Sequence, residues 1–263
     1  MSMTTHAPQS RSTSLPGPPP AASLWLADGG RRALLTVVLP LLALAIAAWV
    51  LTARGDDMAM GLAAFVLSWL IMMTAMMLPA AAPVVALYAL AARRRVVAAV
   101  PVFVAGYLCV WAVTALPAYA VAQALAAPLM DGEPWVARLV GGTLLAAALY
   151  QLTPLKDACL RRCRSPLSFY LSRSGSLAAP RRAFAMGAEH GLYCLGCCWA
   201  LMAVLVAVGG MQLGWALALA LVISAEKLLP GAWLLVRLTA VTAAVLGAAL
   251  LLSPSLFHHL VLM

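Results

Sequence analysis

Apolar residues fall in runs long enough to cross a lipid bilayer, separated by short polar breaks. Seven runs are predicted to be transmembrane helices: 33–53, 59–79, 97–126, 135–153, 186–208, 211–229 and 231–252. A spanning helix needs about 20 predominantly apolar residues, and each run approaches or exceeds that length. The sixth run is short and meets Glu226-Lys227 just before Pro230. If it fails to cross, the count falls to six and the C-terminus moves inside. The second run continues to residue 92. As one helix it would be roughly 50 Å long against a hydrocarbon core of roughly 30 Å. Pro79 and Pro83 are therefore predicted to break or kink it, leaving 80–92 along or beyond the inner face, ahead of Arg93-Arg94-Arg95. The predicted fold is an all-α polytopic transmembrane bundle of about seven spans. No internal repeat is evident.

Composition narrows the class further. Of 263 residues, 65 % are hydrophobic and 10 % charged, and mean hydropathy is +0.98. Such a chain has no room for a large soluble domain beside its spans. Residues 1–30 are predicted to form a disordered cytoplasmic tail, rich in Ser, Thr and Pro. The transmembrane domain runs over 31–257 with a basic cytoplasmic loop at 154–185, and 258–263 form a short outer tail holding His258 and His259. Arg31-Arg32 precede an apolar run long enough to remain as a span.

The net charge of +9 reflects topology rather than nucleic-acid binding. With the N-terminus inside, only Arg54 and Arg138 of the 17 Lys and Arg fall on the outer side. That bias predicts an N-in, C-out orientation. Asp56, Asp57, Asp131 and Glu133 then lie in outer loops. None of the six cysteines falls in an exported loop, so no disulfide framework is expected.

The densest chemistry lies in MGAEHGLYCLGCCWALM, residues 186–202. His190, Cys194, Cys197, Cys198 and Met202 share one apolar helix. At about 100° per residue, Cys194 lies roughly 40° from His190 and Cys197 roughly 20° on the other side. Cys198 borders that stripe at roughly 80°, and Met202 sits at roughly 120°. Imidazole, thiolate and thioether favour Cu(I) or Zn(II) over Mg or Ca. Polar groups inside a span are expensive and mark function by default. The competing reading treats Cys as a small packing residue. Cys109 stands alone and is expected to pack within the third span.

A second soft stripe lies in WLIMMTAMMLP, residues 69–79. Met72 and Met76, and likewise Met73 and Met77, are four apart and form one helical face with Trp69 at its edge. Thioethers bind Cu(I) without losing a proton, although Met is also an ordinary gap-filler. Met76 and His190 each lie about 4.5 Å inside the predicted cytoplasmic edge, and Met72, Met73 and Cys194 about 10 Å inside. Matched depths make a shared intramembrane site geometrically feasible.

Cys159 and Cys163 in the inner loop are also four apart. Lys156, Arg161, Arg162 and Arg164 surround them and are expected to lower their thiol pKa values, favouring metal capture. The competing reading is a basic amphipathic segment resting on anionic lipid. Glu226 has three outcomes open to it: pairing with Lys227, pairing with a cation from another helix, or snorkelling to the inner face with Lys227.

The blocks WLIMMTAMMLPAAAP (69–83), YQLTPLKDACLRRCRSP (150–166), HGLYCLGCCWALM (190–202) and EKLLP (226–230) together resemble a bacterial family of predicted metal-binding integral membrane proteins. One type in that family is similar to the copper-delivery membrane protein encoded beside some bacterial tyrosinases. The resemblance spans about residues 58 to 232. It implies metal handling, copper foremost, in the bacterial inner (cytoplasmic) membrane.

The sequence thus reads as a multi-pass, metal-binding membrane protein for Cu(I), with zinc as the alternative ion. It would transport the ion or deliver it to an exported cuproenzyme; a soluble copper chaperone is a second candidate partner. His190, Cys194, Cys197 and Cys198 are the primary candidate ligands. Met73, Met76 and Met77 are relay thioethers, with Met72 and Met202 beside them, and Cys159 with Cys163 forms a cytoplasmic docking pair. No catalytic residue is assigned. There is no P-loop and no DKTG motif, which excludes a self-contained ATP-driven pump. Two other classes compete: a quinone-linked thiol-disulfide oxidoreductase, and a structural or assembly subunit whose Cys and Met merely pack.

Overall fold

The computed structural model describes residues 34–54, 61–92, 96–164, 179–209 and 212–257. Within them the chain is helical throughout, with no strand. A π-helical turn at Leu34–Val38 leads into α1 (Leu39–Arg54). Then follow α2 (Leu62–Ala92), α3 (Val96–Met130), α4 (Pro134–Gln151), α5 (Pro154–Arg164), α6 (Pro180–Ala207), α7 (Leu213–Leu228) and α8 (Trp233–Leu252). The predicted tail 1–30, Asp56-Asp57, Arg93-Arg94-Arg95, the middle of the basic loop and His258-His259 lie outside the described residues.

Five of these helices are long and apolar enough to cross a membrane, and a sixth if α4 and α5 count as one broken span. This supports a polytopic helical bundle, and the run that falls below membrane length is the sixth, the one the sequence left open between six spans and seven. The run 211–229 forms α7, whose 16 residues extend about 24 Å and fall short of a hydrocarbon core of about 30 Å. Its end is set by Leu229-Pro230-Gly231, where Gly231 takes a positive φ of 73° and turns the chain into α8. The run 135–153 becomes α4, and a 67° bend separates it from α5. Five charged residues in eleven distinguish α5 from the apolar spans.

The expected break at Pro79 and Pro83 does not occur. Both prolines sit inside α2, which continues for 31 residues. Transmembrane helices tolerate proline where neighbouring helices enclose the freed backbone groups, and α2 is enclosed. In its apolar segment 72 % of residues are buried, against 22 % for α1 and α8. With α6, at 67 % buried, it forms the centre of the bundle.

The most extensive interface joins α3 to α6. Small residues let these backbones meet, as in other membrane helix pairs. A Cβ added at Gly187 would collide with the Phe103 carbonyl, and one added at Gly106 with the Phe184 carbonyl. Along α3, Ala99, Phe103, Tyr107, Trp111 and Ala115 repeat every fourth residue and are at most 2 % exposed. Cys109 falls between Tyr107 and Trp111 on the opposite face. It is exposed, contrary to the expectation that it packs inside.

Candidate metal centre

The stripe predicted on 186–202 is buried along its length: His190, Cys194, Cys197, Cys198 and Met202 of α6 are all enclosed by the bundle. Its members meet different neighbours. The His190 ring stacks on Tyr107, centroids 5.7 Å apart, and lies 6.3 Å from the Phe103 ring. Tyr107 also shares a 3.0 Å hydrogen bond between its hydroxyl and Cys194 Sγ. The upper part of the stripe therefore rests on the aromatic face of α3.

The Cys197 end meets α5. Cys163 Sγ and Cys197 Sγ lie 3.9 Å apart, on different helices and both buried. Cys159 leans on Gly196, where an added Cβ would come within 2.7 Å of Cys159 Sγ. The missing side chain is what lets α5 and its two cysteines lie against α6. Cys197 and Cys198 each donate a thiol hydrogen bond to the Cys194 carbonyl, at 3.1 and 3.0 Å. The predicted docking pair and the intramembrane stripe thus form one cluster.

The basic residues around Cys159 and Cys163 do not act as expected. Lys156 turns into the protein and pairs with Glu226, Nζ to Oε2 2.6 Å. Arg161 pairs with Asp157. Arg162 lies over the Tyr193 ring, 5.5 Å from its centroid, and Arg164 donates to the Lys227 carbonyl at 3.3 Å. With these cations engaged elsewhere, burial, together with nearby Cys197, pushes the Cys159 thiol up rather than down.

Glu226 and Lys227 are both buried, at 2 % and 9 % exposed. Of the three outcomes for Glu226, the pairing with another helix holds: it binds Lys156 and accepts a 3.0 Å hydrogen bond from Gln151 Nε2. Gln151 also accepts from Lys156 Nζ. Lys227 points the other way and donates to Cys194 Sγ at 2.9 Å, with Met77 Sδ at 3.9 Å. One ammonium group therefore touches both the Met-rich α2 and the Cys-rich α6. Neither Lys227 nor Tyr107 stood out in the sequence as part of the site. The signals were a lysine at the end of an apolar run and a tyrosine on the α3 stripe.

Met72, Met73, Met76 and Met77 are 0–1 % exposed and belong to the same apolar cluster as Cys163, Cys194, Cys197, Cys198 and Met202. Met77 is the one with a polar contact, to Lys227. Met202 lines a cavity of about 430 Å³ together with Trp69, Trp111, Leu195 and Trp199. Trp69 donates from Nε1 to the Trp111 carbonyl at 3.2 Å, which fixes the flank of the Met stripe to α3.

Among the described residues, no three His, Cys, Asp or Glu side chains form a ready-made cage for a metal ion. The donor chemistry nonetheless suits a soft ion. With metal–sulfur bonds of about 2.3 Å, two sulfurs of a trigonal or tetrahedral site lie roughly 3.8–4.0 Å apart. The Cys163–Cys197 separation of 3.9 Å falls in that interval. Membrane-length apolar helices around a buried cluster of thiols and thioethers define a polytopic helical protein with a soft-donor core. Residues 66–250 match the PpoB2 family, described as a copper chaperone, and the chain belongs to that family. No curated protein and no solved structure matches it.

Proposed function

We propose that this protein binds Cu(I) within the bacterial inner membrane and passes it to an exported cuproenzyme, taking it from the cytoplasmic side. The observation that carries the reading is the Cys163–Cys197 pair, two buried thiols at metal-bridging distance on separate helices. Cys194 and Cys198 are the adjoining donors, Met77 is the thioether that shares Lys227 with Cys194, and Cys159 is the most exposed thiol of the cluster. His190, Met72, Met73, Met76 and Met202 complete the soft lining along the path. Copper entry converts the bridging thiols to thiolates and releases their protons. Sulfur donors and an apolar surround favour Cu(I) over harder ions.

The test is a Cu(I) competition titration on detergent-purified protein. Wild type should hold a stoichiometric ion. Cys163→Ser and Cys197→Ser should each lower affinity at least 100-fold, on the order of 3 kcal/mol, because a hydroxyl is a poor ligand for a soft ion. Cys109→Ser, on the outer face of α3, should leave binding unchanged. Equal losses in all three variants would indicate unfolding rather than ligation. Quinone-dependent thiol oxidation without metal would favour the oxidoreductase reading.

The orientation is proposed from the charge bias with α7 counted as a crossing, since its Lys227 end meets Arg164 of the basic segment: N-terminus inside and C-terminus outside. A reporter active only in the periplasm should be silent when inserted at Ser174 and active when fused after Met263. A silent C-terminal fusion would mean that α7, about 24 Å long, does not cross.

A further inference from the structure

We infer that Lys227 is a specificity-determining residue that tilts the thiol cluster toward monovalent ions and against divalent ones. The inference rests on the copper reading above and extends it. The contacts of Lys227 Nζ are two sulfurs: Cys194 Sγ at 2.9 Å and Met77 Sδ at 3.9 Å. The neighbouring carboxylate, Glu226, is turned away and engaged with Lys156 and Gln151. The Lys227 ammonium thus enters the sulfur cluster without that carboxylate, in a buried setting where charge interactions are weakly screened.

A fixed positive charge beside the donors repels any cation placed among them. The repulsion scales with the ion's charge, so a divalent ion meets twice the penalty of a monovalent one. The same ammonium offsets thiolate charge. Two thiolates, Cu(I) and Lys227 sum to zero, whereas Zn(II) with the same groups leaves a net charge of +1. If a third thiolate joins, removing the lysine still burdens the monovalent complex more than the divalent one. The direction of the shift on removing the lysine is the same whether two or three thiolates bind. Buried net charge is strongly unfavourable, so one lysine suffices to separate ions that the same sulfurs would otherwise both accept.

The test compares Cu(I) and Zn(II) dissociation constants, each by chelator competition, for wild type, Lys227→Gln and Lys227→Arg. Gln keeps an N–H donor near Cys194 and removes the charge; Arg keeps the charge. Lys227→Gln should shift the Cu(I)-over-Zn(II) preference toward zinc by on the order of 100-fold, and Lys227→Arg should retain most of the wild-type ratio. If the Gln protein is not monodisperse, Lys227→Leu carries the same expectation. An unchanged ratio in Lys227→Gln or Lys227→Leu, or an Arg variant that behaves like Gln, would overturn the inference and leave the copper reading standing. A wild type that binds no Cu(I), or a Cys197→Ser variant that binds it as well, would overturn the copper reading itself.

Discussion

Glu226→Ala should destabilise the protein by about 3–5 kcal/mol, the usual loss when one partner of a buried ion pair is removed. The pair it breaks is enclosed: the Lys156 and Glu226 side chains are 1 % and 3 % exposed. Alanine would leave the Lys156 ammonium with Gln151 alone, and Gln151 would lose its acceptor on Glu226. The thermal midpoint in detergent should fall by roughly 10 °C. The double variant Lys156→Met with Glu226→Leu should recover most of that loss, because replacing a whole buried pair by apolar side chains is often neutral or better. A single variant as stable as wild type would show that the pair is solvated in the native state. Copper binding should weaken together with stability in Glu226→Ala, since this pair holds α5, and with it Cys163, against α7.

Gly187→Ala should be comparably severe, at about 3 kcal/mol or more, the upper part of the range for overpacking. The added methyl group would meet the backbone carbonyl of Phe103 rather than a flexible side chain. Only separation of α3 from α6 relieves such a clash, and the same two helices position Tyr107 against Cys194. Gly142→Ala is the control, since nothing lies within 4 Å of its added Cβ. Equal thermal midpoints for the two variants would mean that the α3–α6 contact yields without penalty.

Much of the bundle was readable from the chain because lipid as a solvent demands long apolar runs. The predicted spans at 33–53, 97–126, 186–208 and 231–252 coincide with α1, α3, α6 and α8 to within a few residues, apart from overhangs on α3 and α6. The prolines did not break α2 because local propensity was outweighed by its enclosure among its neighbours. The burial of both soft stripes was legible from their spacing. Which helices meet was not. Matched depths made a site shared by the Met and Cys helices feasible, but not that the Lys227 side chain would reach both Met77 and Cys194. Lys156 was equally opaque: in a segment with three arginines it read as surface charge, and only the fold brings Glu226 to it. The Cys163–Cys197 proximity depends on the bend after Gln151, which periodicity does not encode.

The length of α2 and α3 has a mechanical consequence. At 31 and 35 residues they extend about 46 and 52 Å. Even at a tilt of 40°, the steep end of the observed range, the longer helix would project about 40 Å along the bilayer normal. That exceeds a hydrocarbon thickness of about 30 Å, so the hairpin is mismatched to any ordinary bilayer. The lipid must thicken around it, or the paired helix ends must stand in the headgroup layer. Tyr88 and Phe103, stacked 4.7 Å apart, lie toward that joined end, and Gly187 of α6 is clamped beside Phe103. Bilayer thickness therefore presses on α2, which carries Met77, and through Phe103 and Gly187 on α6, which carries Cys194. Reconstitution into lipids of graded chain length would turn that elastic strain into a control on how tightly the sulfurs converge.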